Sequence, residues 1–263
     1  QRNAFGDAGT TILVEEFMEG EELSVFVLTD GERVVTLPAA QDHKRLLEGD
    51  RGPNTGGMGA YCPVSIAESS TGLIDTVVDR VIRPTLGAMR ARGTPFTGLL
   101  YAGLMLTEQG PKVVEFNCRF GDPETQAVLP VLSPNESIGE TMFTIARGET
   151  IRENAGFRAG RSAVTTVLAA GGYPERPRTG DVIEIPPAPS NVLVFHAGTR
   201  RLPSGQLATA GGRVLAITGL ARSLDDAQRH SREFARSVTF NNKQFRADIG
   251  WREVARRAGA TGD

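Results

Sequence analysis

The feature that most limits the possible folds is a tight-turn pair, Asp30-Gly31, set between apolar residues 23–29 and 33–37. Asp-Gly suits a short hairpin loop, whose backbone twist matches that of the strands it joins. These two runs are expected to form a hairpin, and residues 11–17, also apolar and β-prone, a further strand of the same antiparallel sheet. Residues 98–107 and 112–120 read as two more strands around Glu108-Gln109-Gly110-Pro111. Between these sheet segments a helix should begin near Gly72, because Ile74, Val77, Val78, Val81 and Ile82 recur at helical spacing. Pro84 should kink or interrupt it before Leu86 and Met89 resume the apolar stripe. Two short helices are expected at 123–132 and 135–148.

Composition shifts near 150–160, where Arg152, Glu153, Asn154, Gly156, Arg158 and Gly160 cluster, and a boundary between folded units is placed there. Beyond it, short strands are expected at 162–169, 182–185, 192–196 and 214–220. A helix at 224–238 should turn Leu224, Ala227 and Phe234 to one side, and a last helix should start near Trp251. The fold class is therefore α+β: a sheet-and-helix unit over 1–155, then a smaller β-rich unit over 156–263.

Hydrophobic content of 40% and charged content of 23% are ordinary for a globular protein. A net charge of −2 gives no reason to expect nucleic-acid or membrane binding through bulk electrostatics. No apolar run reaches the roughly 18 residues a membrane span needs. The start, Gln1-Arg2-Asn3, has no basic-then-apolar leader and no Met, which fits a trimmed chain or a fragment. Cys62 and Cys118, the two cysteines, are too few and too separated for a disulfide framework or zinc site, so a reducing cytoplasm is the expected location.

Three segments concentrate residues with chemistry. Residues 41–60 lose periodicity, and a long loop inside a compact domain is usually functional or disordered. This one carries Asp42, Lys44 and Arg45, then Asn54-Thr55-Gly56-Gly57-Met58-Gly59. Glycines so spaced let backbone N–H groups approach an anion, although a flexible surface loop would read the same way. In Val113-Val114-Glu115-Phe116-Asn117, alternation puts Glu115 and Asn117 on one face and Val114 and Phe116, expected to pack, on the other. Their Cα atoms would lie roughly 7 Å apart, so a carboxylate and a carboxamide could converge on one hard cation. On spacing alone, a strand with one solvated face is the commoner explanation. Arg119, Asp122 and Glu124 follow at once, with Asp122 and Pro123 also readable as the cap and first position of a helix. The third segment, residues 14–22, ends a β-prone run in carboxylates, where backbone groups could meet an adenine edge and Glu22 ribose hydroxyls. By itself it is weak. Walker, dinucleotide-binding, zinc-hydrolase and serine-elbow patterns are absent.

Together these segments resemble the phosphoribosylamine–glycine ligases, also called glycinamide ribonucleotide synthetases, of the ATP-grasp superfamily. The likeness runs through residues 3–9, 14–22, 41–45, 52–61, 101–105, 114–125, 169–174, 179–183, 195–199, 211–215 and 248–252, essentially the whole chain. Ala40 and Arg246 depart from it, where Ser and Lys are expected.

The resemblance implies a C-terminal portion of such a ligase: the later part of an ATP-grasp domain, then the family's C-terminal domain. The implied reaction joins glycine to 5-phosphoribosylamine at the expense of ATP, through glycyl phosphate, giving glycinamide ribonucleotide, ADP and phosphate. By position, Glu115 and Asn117 would hold Mg²⁺ or Mn²⁺. Arg119 would face the transferring phosphoryl group and, with Asp42, is assigned to catalysis. Glu15, Glu16, Phe17 and Met18 would border adenine, with Glu22 at ribose. Lys44, Asn54, Thr55, Gly56, Gly57 and Gly59 would line the substrate side. The family's N-terminal domain and ATP lid are expected to be missing, so little activity is expected of this stretch alone. Another ATP-grasp carboxylate–amine ligase, such as a biotin-carboxylase relative, and a truncated, non-catalytic binding module are the other readings.

Overall fold

A computed structural model describes residues 6–68, 72–134, 137–152 and 156–260. The strands and helices, in chain order, are β1 (Glu21–Thr29), β2 (Val34–Thr36), β3 (Gln41–Asp42), β4 (Arg45–Leu47), β5 (Arg51–Asn54), β6 (Gly59–Cys62), α1 (Leu73–Val77), α2 (Arg83–Ala91), β7 (Gly98–Thr107) and β8 (Gly110–Asn117). They continue as α3 (Thr125–Val131), α4 (Ile138–Ala146), β9 (Ser162–Ala169), β10 (Val182–Ile183), β11 (Val192–His196), β12 (Thr199–Arg201), β13 (Leu207–Thr209), β14 (Arg213–Ala221), α5 (Leu224–Ser237) and α6 (Trp251–Ala260). The α+β class holds. Residues 3–5, 135–136 and 153–155, which fall within the likeness, the expected helix and the expected boundary, lie outside the described residues.

The expected hairpin forms: β1 and β2 pair antiparallel, with Thr29 opposite Val34 across the Asp30-Gly31 turn. Asp30 Oδ1 accepts the backbone N–H of Glu32 and of Arg33, and its Oδ2 accepts that of Ile151. The hairpin belongs to a four-stranded antiparallel sheet, β2-β1-β7-β8. One face, carrying Leu23, Val25, Val27, Leu100, Ala102 and Leu104, is buried against α1 and α2. Between those helices the chain forms one π-turn, Val78–Ile82, so Pro84 falls in the first turn of α2. Proline is tolerated there because a first-turn N–H needs no intrahelical partner.

Residues 11–17 do not form a strand. They run extended without hydrogen-bonded pairing, with Ile12, Leu13, Val14 and Phe17 each more than three-quarters exposed. A β-prone run forms a strand only where a partner ladder accepts it, and none lies beside this one among the described residues. Residues 41–60 differ from expectation in the opposite sense. They hold four short strands, and Gly57, Met58, Gly59 and Ala60 are buried.

The second large sheet has the order β11-β14-β9-β6-β3. Gly59 to Cys62 pair with Thr166 to Ala163, so hydrogen-bonded strands cross the division placed at residue 155. Gly59 permits this: a Cβ there would lie 2.4 Å from Thr165 O and 2.7 Å from Ile249. Helix α3 covers one face of this sheet through Ala127, Val128 and Val131. Helix α5 covers the other, capped by Ser223 and pressed onto Gly219, where a Cβ would lie 2.2 Å from Ala227 O. Strands β12 and β13, not expected, pair with β10 in a small third sheet. Among the described residues no helix is long and apolar enough to cross a membrane.

Candidate active site

The second face of the four-stranded sheet is apolar at one end and polar at the other. Phe26, Leu28 and Tyr101 pack under α3 and the five-stranded sheet. Glu22 and Ser24 continue that face along β1, opposite Met105 and Gly103 of β7. Across β7, Gly103 faces Glu115 and Tyr101 faces Asn117. Paired residues of an antiparallel ladder point to the same side, so Glu22, Ser24, Glu115 and Asn117 form one polar patch. Gly103 has no side chain in its centre: a Cβ there would lie 3.3 Å from Glu115 Cγ.

Strict alternation would put Lys112 and Glu115 on opposite faces. An irregularity in β8 resets the phase: Gly103 pairs with Glu115, Leu104 with Val113, and Met105 with Lys112. A β-bulge of this kind re-aims a side chain without ending the strand. Lys112 thereby joins the polar face, where its Nζ holds Glu16 Oε1 at 2.7 Å. That ion pair ties the extended residues 11–19 to the sheet. Val114 and Phe116 do not pack as expected. They remain 37% and 39% exposed, on a strand at the edge of the sheet.

Asp42 and Lys44 enter from β3 and the turn after it. Gln41 anchors that segment by donating to Glu22 O at 2.6 Å, and Lys44 Nζ is ion-paired with Glu22 Oε2. Burial, then the Glu124 carboxylate, pushes the Asp42 carboxyl up to about 7, against the pull of Lys44. Burial alone would lower the Lys44 ammonium, but Asp42, Glu22 and Glu115 outweigh it and hold it above its ordinary value. A cation and several acidic side chains therefore influence one another across the polar face. Glu124 is 4% exposed and accepts from Tyr101 Oη at 2.8 Å, while Ser24 Oγ lies 2.9 Å from the same hydroxyl. Burial and this carboxylate push the Tyr101 hydroxyl up, so it stays a donor.

Thr55 fixes the glycine-rich segment, its N–H and its hydroxyl both donating to Lys44 O at 2.8 Å. Gly57 is buried at φ +108°, where a Cβ would lie 2.6 Å from Pro123 Cδ. Gly57 and Gly59 thus serve close packing here; Asn54 and Gly56 are exposed. Beneath the β4–β5 hairpin, Arg246 is fully buried. It donates to Asp50 at 2.7 Å, twice to Asp248 at 2.8 Å, and to Arg45 O at 3.2 Å.

The structure brings Glu22, Asp42, Lys44, Glu115 and Asn117 together. It leaves Glu15 and Phe17 exposed and Met18 half-buried on the extended segment, with Glu16 on Lys112. Arg119 is exposed, donating to Phe120 O at 3.1 Å. Asp122 is not a helix cap: α3 starts at Thr125, and Asp122 instead meets Gln126 Nε2 at 3.1 Å and Arg213 at 3.3 Å. Sequence reasoning passed over Ser24, Tyr101 and Arg213. Ser24 and Tyr101 lie in step with Glu22 and Asn117 across the sheet, and Tyr101 and Arg213 fall within the stretches of likeness.

The oxygen donors fit a small hard cation. Among the described residues no three His, Cys, Asp or Glu side chains converge as a metal-binding group. Glu115 and Asn117 would thus supply two ligands and leave the remainder to water and phosphate, the usual arrangement for Mg²⁺. Asn117 Nδ2, a donor, is buried without a hydrogen-bond partner; a cation would be met by the Oδ1 of the same amide, leaving this N–H for a phosphate oxygen.

Comparison with known proteins agrees with this architecture. Residues 1–125 match the family described as phosphoribosylglycinamide synthetase, ATP-grasp (A) domain, and residues 163–252 its C domain. A phosphoribosylamine–glycine ligase of Pseudomonas aeruginosa is 45% identical over 260 residues, 98% of this chain and 59% of that protein. The crystal structure of the Thermotoga maritima phosphoribosylamine–glycine ligase superposes with a TM-score of 0.79 at 37% identity, covering 89% of this chain and 57% of that one. At 15% identity, likeness of fold alone extends to a Hydrogenobacter thermophilus biotin carboxylase domain solved with MgADP (TM-score 0.60, 88% of this chain, 48% of that one). The chain spans about three-fifths of the length of its curated bacterial relatives (59% for that of Pseudomonas). With its ATP-grasp sheet followed by the C domain, the chain belongs to the phosphoribosylglycinamide synthetase family.

Proposed function

We propose that this chain forms the metal-bearing and substrate-facing side of a phosphoribosylamine–glycine ligase. The whole protein would join glycine to 5-phosphoribosylamine with cleavage of ATP to ADP and phosphate, as a step of purine biosynthesis in the cytoplasm. The observation that carries the reading is the polar face on which Glu22, Lys44, Asp42, Glu115 and Asn117 meet in a sheet of this family.

Glu115 and Asn117 would hold Mg²⁺ or Mn²⁺, which when bound neutralises charge on the phosphates of ATP. Lys44, held charged by its acidic neighbours, would supply positive charge on the substrate side, at the glycine carboxylate. Asp42, its carboxyl pushed up to about 7 by burial and Glu124, would in its ionised form accept the proton the amine loses as it attacks the acyl phosphate. Arg119, exposed and bound to one backbone carbonyl, is free to swing toward the transferring phosphoryl group. Residues 15–18 would border adenine, with Glu22 at the ribose. Asn54, Thr55, Gly56, Gly57 and Gly59 would line the substrate side and keep water from the intermediate. We also read 1–155 and 156–263 as the two family domains, joined through the shared sheet.

The test is ADP release by the full-length protein as glycine and 5-phosphoribosylamine are varied. Release that needs both, and is lost in Glu115→Gln with the far-ultraviolet circular dichroism unchanged, supports the assignment. Release that ignores glycine but follows another carboxylate would move the chain to a different ATP-grasp ligase.

A further inference from the structure

Arg213 opens β14, in the C-terminal half, yet its Nη1 donates to Gly56 O at 2.6 Å and to Asp122 O at 2.7 Å. The same nitrogen lies 3.3 Å from Asp122 Oδ1. A single guanidinium nitrogen therefore bridges the glycine-rich segment and the turn that follows the metal strand. Tyr173 adds a second tie, its hydroxyl accepting from Gly56 N at 2.9 Å. Three glycines make the approach possible. A Cβ on Gly57 would lie 2.6 Å from Pro123 Cδ, one on Gly56 3.3 Å from the Arg213 guanidinium, and one on Gly212 2.4 Å from the Tyr173 ring.

Both bridged segments end in site residues. Thr55 lies beside Gly56 and holds Lys44 O, and Asp122-Pro123 sits between Arg119 and Glu124. A shift of either segment relative to the other would move Lys44 and Asp42 against Glu124 and the Glu115–Asn117 strand. A guanidinium is suited to the task because it is always charged and presents its donors in a rigid plane.

We propose that Arg213 is a positioning residue of the ligase reaction, a clasp by which the C-terminal sheet sets the substrate loop against the metal strand. The proposal rests on the functional reading above. Arg213 touches no reacting atom; its effect passes through Gly56 and Asp122. The part of the site it governs is the substrate side, while the ATP side along residues 15–22 lies outside its reach.

In the full-length protein, Arg213→Ala should raise the KM for glycine or 5-phosphoribosylamine at least tenfold and that for ATP less than twofold. Amide hydrogen exchange at Gly56 and Gly57 should quicken at least tenfold, with strand β7 unchanged. Arg213→Lys, which can reach one carbonyl, should recover part of both effects and covers the case in which the alanine variant folds poorly. Tyr173→Phe should fall between them and wild type. Unchanged exchange at Gly56 and Gly57, or equal rises in KM for all three substrates, overturns the proposal. Absence of glycine-dependent turnover in the wild type overturns the functional reading instead, and exchange then still decides whether the clasp holds the loop.

Discussion

Replacing Tyr101 by Phe removes one oxygen from the junction between the apolar and polar ends of the sheet face. That hydroxyl donates to Glu124 Oε1 at 2.8 Å and lies 2.9 Å from Ser24 Oγ; the two side chains are 5% and 4% exposed. The ring itself keeps its place 4.6 Å from Phe26, so no cavity larger than the lost oxygen results. Hydrogen bonds to charged groups contribute about 1.5–3 kcal/mol, and a buried acceptor left without its donor costs a similar amount. The remaining contact, Ser24 Oγ to Glu124 Oε1 at 3.5 Å, is too long to substitute. A loss of about 2 kcal/mol is therefore expected in urea unfolding, read as a lower midpoint with an unchanged slope. Glu124→Gln makes the acceptor neutral, so in the double variant the two losses should fall short of their sum by about 1 kcal/mol. A Tyr101→Phe loss below about 0.5 kcal/mol, or strict additivity, would refute the claim that this hydroxyl supports a buried carboxylate.

Asp42 makes stability depend on pH. Unfolded, it loses its proton near 3.8; folded, it keeps it to about 7. The native state binds the extra proton in that window, so stability should fall as pH rises through it. With solvent screening the loss should be on the order of 1–3 kcal/mol, and Asp42→Asn should flatten the profile between pH 4 and 8 in thermal melts. Gly59→Ala should cost at least ~3 kcal/mol, because its methyl meets backbone oxygen 2.4 Å away; wild-type melting behaviour would count against the β6–β9 pairing. Arg246→Ala should cost about 3–5 kcal/mol by leaving Asp50 and Asp248 without their buried partner. Proteolysis within the β4–β5 hairpin should accelerate with it, and resistance equal to wild type would show that the network does not anchor that hairpin.

Local chemistry made much of this molecule legible. The Asp30-Gly31 turn, the helical spacing from Ile74 onward and the shared phase of Glu115 and Asn117 each depend on neighbours a few residues away, and each appears in the structure. Residues 11–17 misled because β propensity describes how a side chain suits a sheet, not whether a sheet is there to join. Lys112 was hidden because a single bulge inverts every alternation beyond it. Gly57 and Gly59 suggested a loop whose backbone meets an anion, since sequence does not distinguish a glycine that approaches a ligand from one that admits a neighbouring side chain. Tyr101, Glu124 and Arg213 acquire their meaning only from contacts made 23 to 157 residues away.

The pairing of β6 with β9 also imposes an order in time. Some hundred residues separate the two strands, so at synthesis rates of about 5–20 residues per second β6 waits roughly 5–20 s for its partner to be made. During that interval its edge is unpaired, and so is the loop that will later hold Lys44 and Thr55 in place. Closing so long a loop before any contact offsets it makes this a late, slow step of folding. The loop beside the polar face would thus be fixed only once the C-terminal sheet arrives to pair with β6.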